Sequence, residues 1–136
     1  MGTAQKHAAR LQRSRARTRA ECVTWEQRFR EAFFVSPAPI SLSTLADGVF
    51  LDVNPSFLDL TGYRRDEVVG RSVTDLHFWY EPAEREKMLR MLEHSDGPAR
   101  YAELRLRTKA GSIRHVVVSA DSFVLDDESC LLVIYR

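Results

Sequence analysis

The sequence predicts an α+β domain built around one antiparallel sheet. A pair of strands surrounds the turn Asp47-Gly48, several short helices follow, and three strands complete the chain after residue 100. Strands and helices that are segregated in this way are typical of the α+β class. The 136 residues, 44% hydrophobic and 29% charged, fit one globular domain that can bury a core without disulfides or a structural metal.

Residues 1–34 are predicted to form an amphipathic helix that precedes a domain at 35–136. Positions at spacings of three and four from Ala8 to Ala32 follow the seam of a heptad repeat, which is mostly apolar but contains Arg15 and Thr18 in its first half, so the later turns are expected to pack best. Pro37 ends this helix because the residue before a proline is pushed out of the α region. The later turns could pack on the domain or on a second copy of the chain. The predicted dimer contacts on the seam are Leu11, Thr18, Cys22, Trp25 and Phe29.

Charge is unevenly distributed, with a net +6 in residues 1–30 and −5 in the remainder. A basic arm of this kind is typical of a solvated helix face, which we favour, or of a contact with nucleic acid or an anionic surface. The chain has no apolar run near the roughly 20 residues that a membrane-spanning helix requires. It also has no signal-peptide pattern, so a cytoplasmic location is expected.

Turn and cap residues define the first half of the domain. Asn54 followed by Pro55 is typical of a helix start, and Ser72 with Asp75 three residues later suggests a capping box. The predicted elements are strands at 40–46 and 49–53, a helix from 55 that ends at Gly62, helical turns at 66–69 and 72–76, and a longer helix from 82 to about 96.

Three strands are predicted in the second half, at 102–108, 113–125 and 131–135. The first alternates apolar and charged residues, which indicates one buried and one exposed face. The last is apolar at every position, which favours a central strand covered on both sides, with the N-terminal helix as one candidate cover.

No residue pattern with a known catalytic or metal-binding mechanism occurs in the sequence. It lacks a glycine-rich phosphate loop, H-E-x-x-H, C-x-x-C and G-x-S-x-G. Cys22 and Cys130 have no neighbouring Cys or His at ligand spacing, and Cys130 opens an apolar run where a buried, inert thiol is expected. We therefore expect no catalytic residue, no metal site and a non-enzymatic function.

An ordered set of short motifs resembles the PAS domain over residues 33–136. The motifs are DGVFLDVNPSF at 47–57, LTGY at 60–63, EVVGR at 67–71, ELR at 103–105 and KAG at 109–111. The resemblance implies the PAS fold, whose five-stranded antiparallel sheet has the spatial order 2-1-5-4-3. It also implies short helices on one face of the sheet and a pocket beneath them.

The resemblance implies a non-catalytic sensory and dimerisation module of a bacterial signal-transduction protein. In such proteins a ligand or partner signal passes through flanking helices to an output domain, such as a histidine kinase, diguanylate cyclase or transcription regulator. The family usually continues past this point with an Asp-hydrophobic-Thr linker, so a fragment of a longer protein is expected. The alternatives are a protein-interaction domain without a ligand, and a basic arm that contacts nucleic acid.

Family comparison also bears on cofactors. The covalent-adduct flavin branch carries a cysteine just after the Gly70-Arg71 step, where this chain has Ser72 and Val73, and haem-binding members carry a histidine near Glu84. Both cofactors are therefore disfavoured. A non-covalent flavin, a small organic ligand and an interior filled by side chains stay open. The predicted pocket residues are Phe57, Leu60, Tyr63, Phe78, Trp79, Leu92, Leu104, Leu106, Val116 and Val118.

Overall fold

The computed structural model describes residues 19–94 and 99–136, with side chains described from 26 to 94 and from 101 onward. The strands form one antiparallel sheet in the order β2-β1-β5-β4-β3, which confirms the predicted fold class and strand order. The elements are α1 (Arg19–Val35), β1 (Ile40–Thr44), β2 (Phe50–Val53), α2 (Pro55–Thr61), α3 (Arg65–Val68), α4 (Pro82–Glu93), β3 (Ala99–Arg107), β4 (Ile113–Leu125) and β5 (Glu128–Tyr135).

The first hairpin turns at Asp47-Gly48 as predicted, but its strands are shorter than predicted. The turn already begins at Thr44, whose backbone N–H donates to the Val49 carbonyl at 2.9 Å while its Oγ1 accepts from the Val49 N–H at 3.0 Å. Gly48 has φ +67°, and a Cβ there would lie 2.7 Å from Cγ2 of Val73. Both its backbone conformation and the space around it therefore require glycine.

Helix α2 begins and ends at the predicted residues. The Asn54 side chain accepts a hydrogen bond from the Phe57 N–H, and Pro55 occupies the first helical position. Gly62 adopts φ +81°, and its N–H donates to the Leu58 carbonyl at 2.8 Å.

Residues 72–76 form a single hydrogen-bonded turn, in which the Leu76 N–H donates to the Ser72 carbonyl at 3.2 Å, and this turn does not extend into a helix. The predicted cap is present, because the Asp75 N–H donates to Ser72 Oγ at 3.0 Å. His77 then adopts φ +49° and redirects the chain along β3, where the Tyr80 N–H donates to the Arg105 carbonyl at 3.0 Å. The chain thus follows the capped turn with a pairing to the sheet edge.

The inner face of the sheet packs against the helices. Val116, Val118 and Ala120 of β4 share this buried face, as their alternation predicts. In β5, residues 131, 133 and 135 belong to the same core, whereas 132 and 134 are half-buried on the opposite face. The all-apolar strand therefore lies at the centre of the sheet, as predicted.

Side chains of helix α4 form hydrogen bonds with backbone groups on the outer edge of β3. The Glu84 carboxylate accepts from the Arg105 backbone N–H at 2.9 Å and from the Arg105 guanidinium at 2.7 Å, while Lys87 Nζ donates to the Glu103 carbonyl at 3.2 Å. Burial alone would raise the pKa of Glu84, but the hydrogen bonds from Arg105 outweigh it and hold the pKa below its ordinary value. The outer-edge groups of Glu103 and Arg105 are thus paired and not left open to another chain. Helix α4 ends at Glu93, and the predicted end near residue 96 lies outside the described residues.

Candidate ligand site and dimer helix

Five buried aromatic rings meet between the helices and the sheet. Neighbouring ring centroids lie between 4.8 and 6.4 Å apart, and most pairs are tilted or edge-to-face. Aromatic pairs at such separations contribute about 0.5–1.5 kcal/mol each beyond the area they bury. We call this group the aromatic cluster, and its members are Phe50, Phe57, Phe78, Trp79 and Tyr135.

A polar pair lies beside the aromatic cluster. The hydroxyl oxygens of Ser41 on β1 and Tyr135 on β5 are 2.7 Å apart, and both residues are buried. Burial raises the pKa of the Tyr135 phenol, so this group stays protonated and neutral at physiological pH. The two hydroxyls share one hydrogen bond between neighbouring strands, so each gives the other a partner in the interior.

The structure brings the ten predicted pocket residues into one cluster. Leu60, Tyr63 and Leu92 are partly buried and pack against the core. The other seven are buried within it: Phe57, Phe78, Trp79, Leu104, Leu106, Val116 and Val118. Whether these residues line a ligand site or form only a packed core stays a prediction, because both roles use the same residue types.

Sequence reasoning missed Phe50, Tyr135 and Ser41 as part of this interior. Tyr135 is in step with the two buried residues at 131 and 133, so strand alternation could have included it. Phe50 is the second residue of the predicted strand 49–53, where burial does not alternate, so the same rule would not have found it. No signal in the sequence indicated that Ser41 is buried, because serine occurs at both exposed and buried positions of strands.

An open cleft of about 520 Å³ lies between the C-terminal end of α2 and the β3–β4 hairpin. Residues 59–62 line one side, and Lys109 and Arg114 are among the residues on the other. Lys109 is paired with Glu67 at 2.7 Å, and its backbone N–H donates to the Thr61 carbonyl at 2.8 Å. Leu60 is the one predicted pocket residue among the lining residues, so this cleft is distinct from the aromatic cluster.

The side chains at and next to Glu84, where haem-binding members carry a histidine, have structural partners. Glu84 binds Arg105, and Arg85 donates to the Leu45 carbonyl at 2.7 Å. Cys130 is buried, and burial raises the pKa of its thiol, which disfavours a reactive thiolate. Within the described residues, no group of three or more His, Cys, Asp or Glu side chains is placed to hold a metal ion.

Helix α1 contacts the domain at its C-terminal turn. Residues 26–32 are exposed, whereas Phe33 is buried, and 59% of Phe29 is accessible to solvent. Among the other predicted dimer contacts, Leu11 and Thr18 lie outside the described residues, and only the backbone of Cys22 and Trp25 is described. Most of the basic arm also lies outside them, so a nucleic-acid contact stays a prediction. None of the described helices is long and apolar enough to cross a bilayer.

The five-stranded sheet with short helices on one face defines a domain of PAS architecture. The family model described as the PAS fold matches residues 27–136, and the chain therefore belongs to the PAS family. No curated protein matches the chain.

Solved structures share this fold. The PAS domain of an HTR-like protein from Haloarcula marismortui is 29% identical, with a TM-score of 0.68 over 90% of this chain and 98% of that one. A PAS domain from a two-component sensor histidine kinase is 18% identical, with a TM-score of 0.65 over 82% and 96% of the two chains. The PAS domain of a LuxR-family transcriptional regulator from Burkholderia thailandensis, in complex with ethanol, is 19% identical, with a TM-score of 0.58 over 78% and 94%.

Proposed function

We propose that this chain is a non-catalytic sensory and dimerisation module of a bacterial, cytoplasmic signal-transduction protein. In this proposal a ligand or partner signal passes from the domain through α1 to an output domain, such as a histidine kinase, diguanylate cyclase or transcription regulator. The observation that carries the proposal is a PAS fold attached to a helix with an exposed apolar seam residue. Similar PAS domains from a sensor histidine kinase and from a transcriptional regulator support it.

Dimerisation is proposed to occur along the α1 seam formed by Leu11, Thr18, Cys22, Trp25 and Phe29. The exposed Phe29 supports this arrangement, because its ring stacks on Phe33 at 6.5 Å yet remains 59% accessible. A second copy packed along the seam would remove this ring from water, and burying a Phe side chain stabilises an assembly by about 1.5–3 kcal/mol.

A second candidate function is a protein-interaction domain without a ligand. The mutual contact of the rings in the aromatic cluster favours it, since these rings already pack against one another. A small organic ligand beside Trp79 would have to separate some of these rings or occupy a gap next to them. The PAS domain of the LuxR-family regulator, in complex with ethanol, shows how small a molecule held by such a domain can be.

Native mass spectrometry of the purified 1–136 chain tests these proposals together. We expect a dimer, which Phe29→Asp converts to a monomer. Tyr101→Asp is the matched control, because Tyr101 on β3 is 58% exposed, almost as much as Phe29, but lies off α1. A wild-type monomer at high concentration, or equal effects of both variants, would contradict the α1 dimer.

The same spectra test for a ligand. A discrete additional mass in the wild-type protein supports a ligand sensor and gives the chemical class of the ligand. No additional mass favours the interaction domain.

A further inference from the structure

The side chain of Asn54 links two helices. Its Nδ2 donates to the Phe33 carbonyl at the end of α1 at 3.0 Å and to the Ala38 carbonyl at 2.9 Å. Its Oδ1 accepts from the Phe57 N–H in α2 at 3.0 Å and from the Ile40 N–H at 2.9 Å. The residue has no solvent-accessible surface. All four hydrogen bonds that an asparagine amide can make are therefore used, and they join three backbone segments: the end of α1, residues 38–40 and the first turn of α2.

The described contacts of α1 with the domain converge on its last turn. Phe33 is buried, and the Arg65 guanidinium lies 5.3 Å from the centroid of the Phe34 ring. Just beyond the helix, Ser56 Oγ donates to the Ser36 carbonyl at 2.7 Å. Since residues 26–32 are exposed, the helix is held near one end, where Asn54 binds a helix carbonyl directly.

The oxygen of the Asn54 side-chain amide connects to the aromatic cluster through Phe57. Phe57, whose N–H binds Asn54, lies in the first turn of α2, and its ring centroid is 5.6 Å from that of Phe50, 5.7 Å from that of Phe78 and 5.6 Å from that of Tyr135. A shift of these rings that moves α2 therefore acts on the same amide that holds α1.

We propose that Asn54 is the positioning residue that couples the aromatic cluster to α1. When α2 moves, the hydrogen bonds from Asn54 to the Phe33 and Ala38 carbonyls weaken and the last turn of α1 is released. This inference deepens the proposed function, which requires α1 to respond to the domain. The coupling itself requires neither a ligand nor an output domain.

Amide hydrogen exchange in the 1–136 chain, followed by NMR, tests the first part. The Asn54→Asp side chain can still accept from the Ile40 and Phe57 N–H groups, but it can no longer donate to the Phe33 and Ala38 carbonyls. Asn54→Ser keeps an oxygen that can cap α2, but its shorter side chain does not reach Phe33. In both variants we expect the amides of residues 33–36 to exchange about tenfold faster, while amides in β4 and β5 change little. Ser56→Ala removes only the bond to the Ser36 carbonyl and should have a smaller effect.

A double-variant cycle tests the coupling. Phe57→Leu should accelerate exchange at residues 33–36 in the wild-type background and add nothing in the Asn54→Ser background. Val116→Ala, a core change on β4, is the control for a general loss of stability and should spare residues 33–36.

Three results would overturn the proposal. They are unchanged exchange at 33–36 in Asn54→Ser, equal acceleration of all amides, or a Phe57→Leu effect that persists without Asn54. None of them depends on the dimer or on a ligand, so this inference and the proposed function can fail separately.

Discussion

The aromatic cluster and the junction between α1 and the domain are held by different kinds of interaction. In the cluster each ring packs against several others, so stabilisation is non-directional and shared. At the junction, directional hydrogen bonds converge on one buried amide, that of Asn54. We therefore expect the domain to stay folded when the attachment of α1 is weakened, as the proposed coupling requires.

The largest expected effect comes from removing a ring from the middle of the cluster. Phe78 contacts the rings of Phe50, Phe57, Trp79 and Tyr135, so Phe78→Ala should lower the free energy of unfolding by about 3–5 kcal/mol, measured by urea denaturation. Tyr101→Ala, at an exposed ring, should change it by about 0.5 kcal/mol or less. Equal losses in the two variants would show that the cluster is not the main source of stability.

The hydroxyl pair tests whether directional bonds also matter in the interior. Tyr135→Phe leaves the buried Ser41 hydroxyl without its partner and should cost about 1–2 kcal/mol of unfolding free energy. Adding Ser41→Ala should recover part of this loss, because the unpaired group is then removed. If the double variant is simply the sum of the single ones, the two hydroxyls do not depend on each other.

The bond between α4 and the edge of β3 should give a smaller, pH-dependent effect. Because the pKa of Glu84 is lowered on folding, its contribution is fully present at neutral pH and is lost as the pH falls through the folded-state value, which lies below 4.5. Glu84→Gln should cost about 1 kcal/mol at pH 7, since Arg105 is partly exposed. The difference from wild type should shrink on acidification in urea denaturation series, and a pH-independent difference would contradict this account.

The smallest effect is expected at the β4–β5 turn, far from both regions. Asp126 and Asp127 adopt φ +49° and +64° in a two-residue turn, where glycine is favoured. Asp127→Gly should raise the unfolding free energy by about 0.5 kcal/mol in thermal or urea denaturation. Asp66→Gly, in the short helix α3, should lower it by a similar amount. If Asp127→Gly also changes exchange in α1, the attachment of α1 depends on the overall stability of the domain.

Local chemistry predicted most of the fold. The cap at Asn54, the turn at Gly48 and the alternation in β4 depend on neighbouring residues, and the structure confirms them. The order of the strands followed from the family resemblance, since no local pattern specifies it. The predicted helical turn at 72–76 is present as one turn only, after which the chain pairs with β3 at Tyr80, and that tertiary contact leaves no mark in the local sequence.

The candidate site was less predictable than the fold. Apolar patterning identified Phe57, Phe78 and Trp79 as interior residues, but it could not distinguish a packed cluster from the lining of a pocket. Asn54 was predicted as the cap of α2. Its bonds to Phe33 and Ala38 depend on where α1 ends in space, which is set by the whole domain.

The most direct test of the central claim is amide exchange measured side by side in Asn54→Ser and Phe78→Ala, at residues 33–36 and in β5. We predict that Asn54→Ser accelerates exchange at 33–36 and leaves β5 almost unchanged, whereas Phe78→Ala accelerates exchange in β5 as the whole domain loses stability. If Asn54→Ser accelerates exchange equally in both places, the attachment of α1 is not separable from the stability of the domain, and the claim is contradicted.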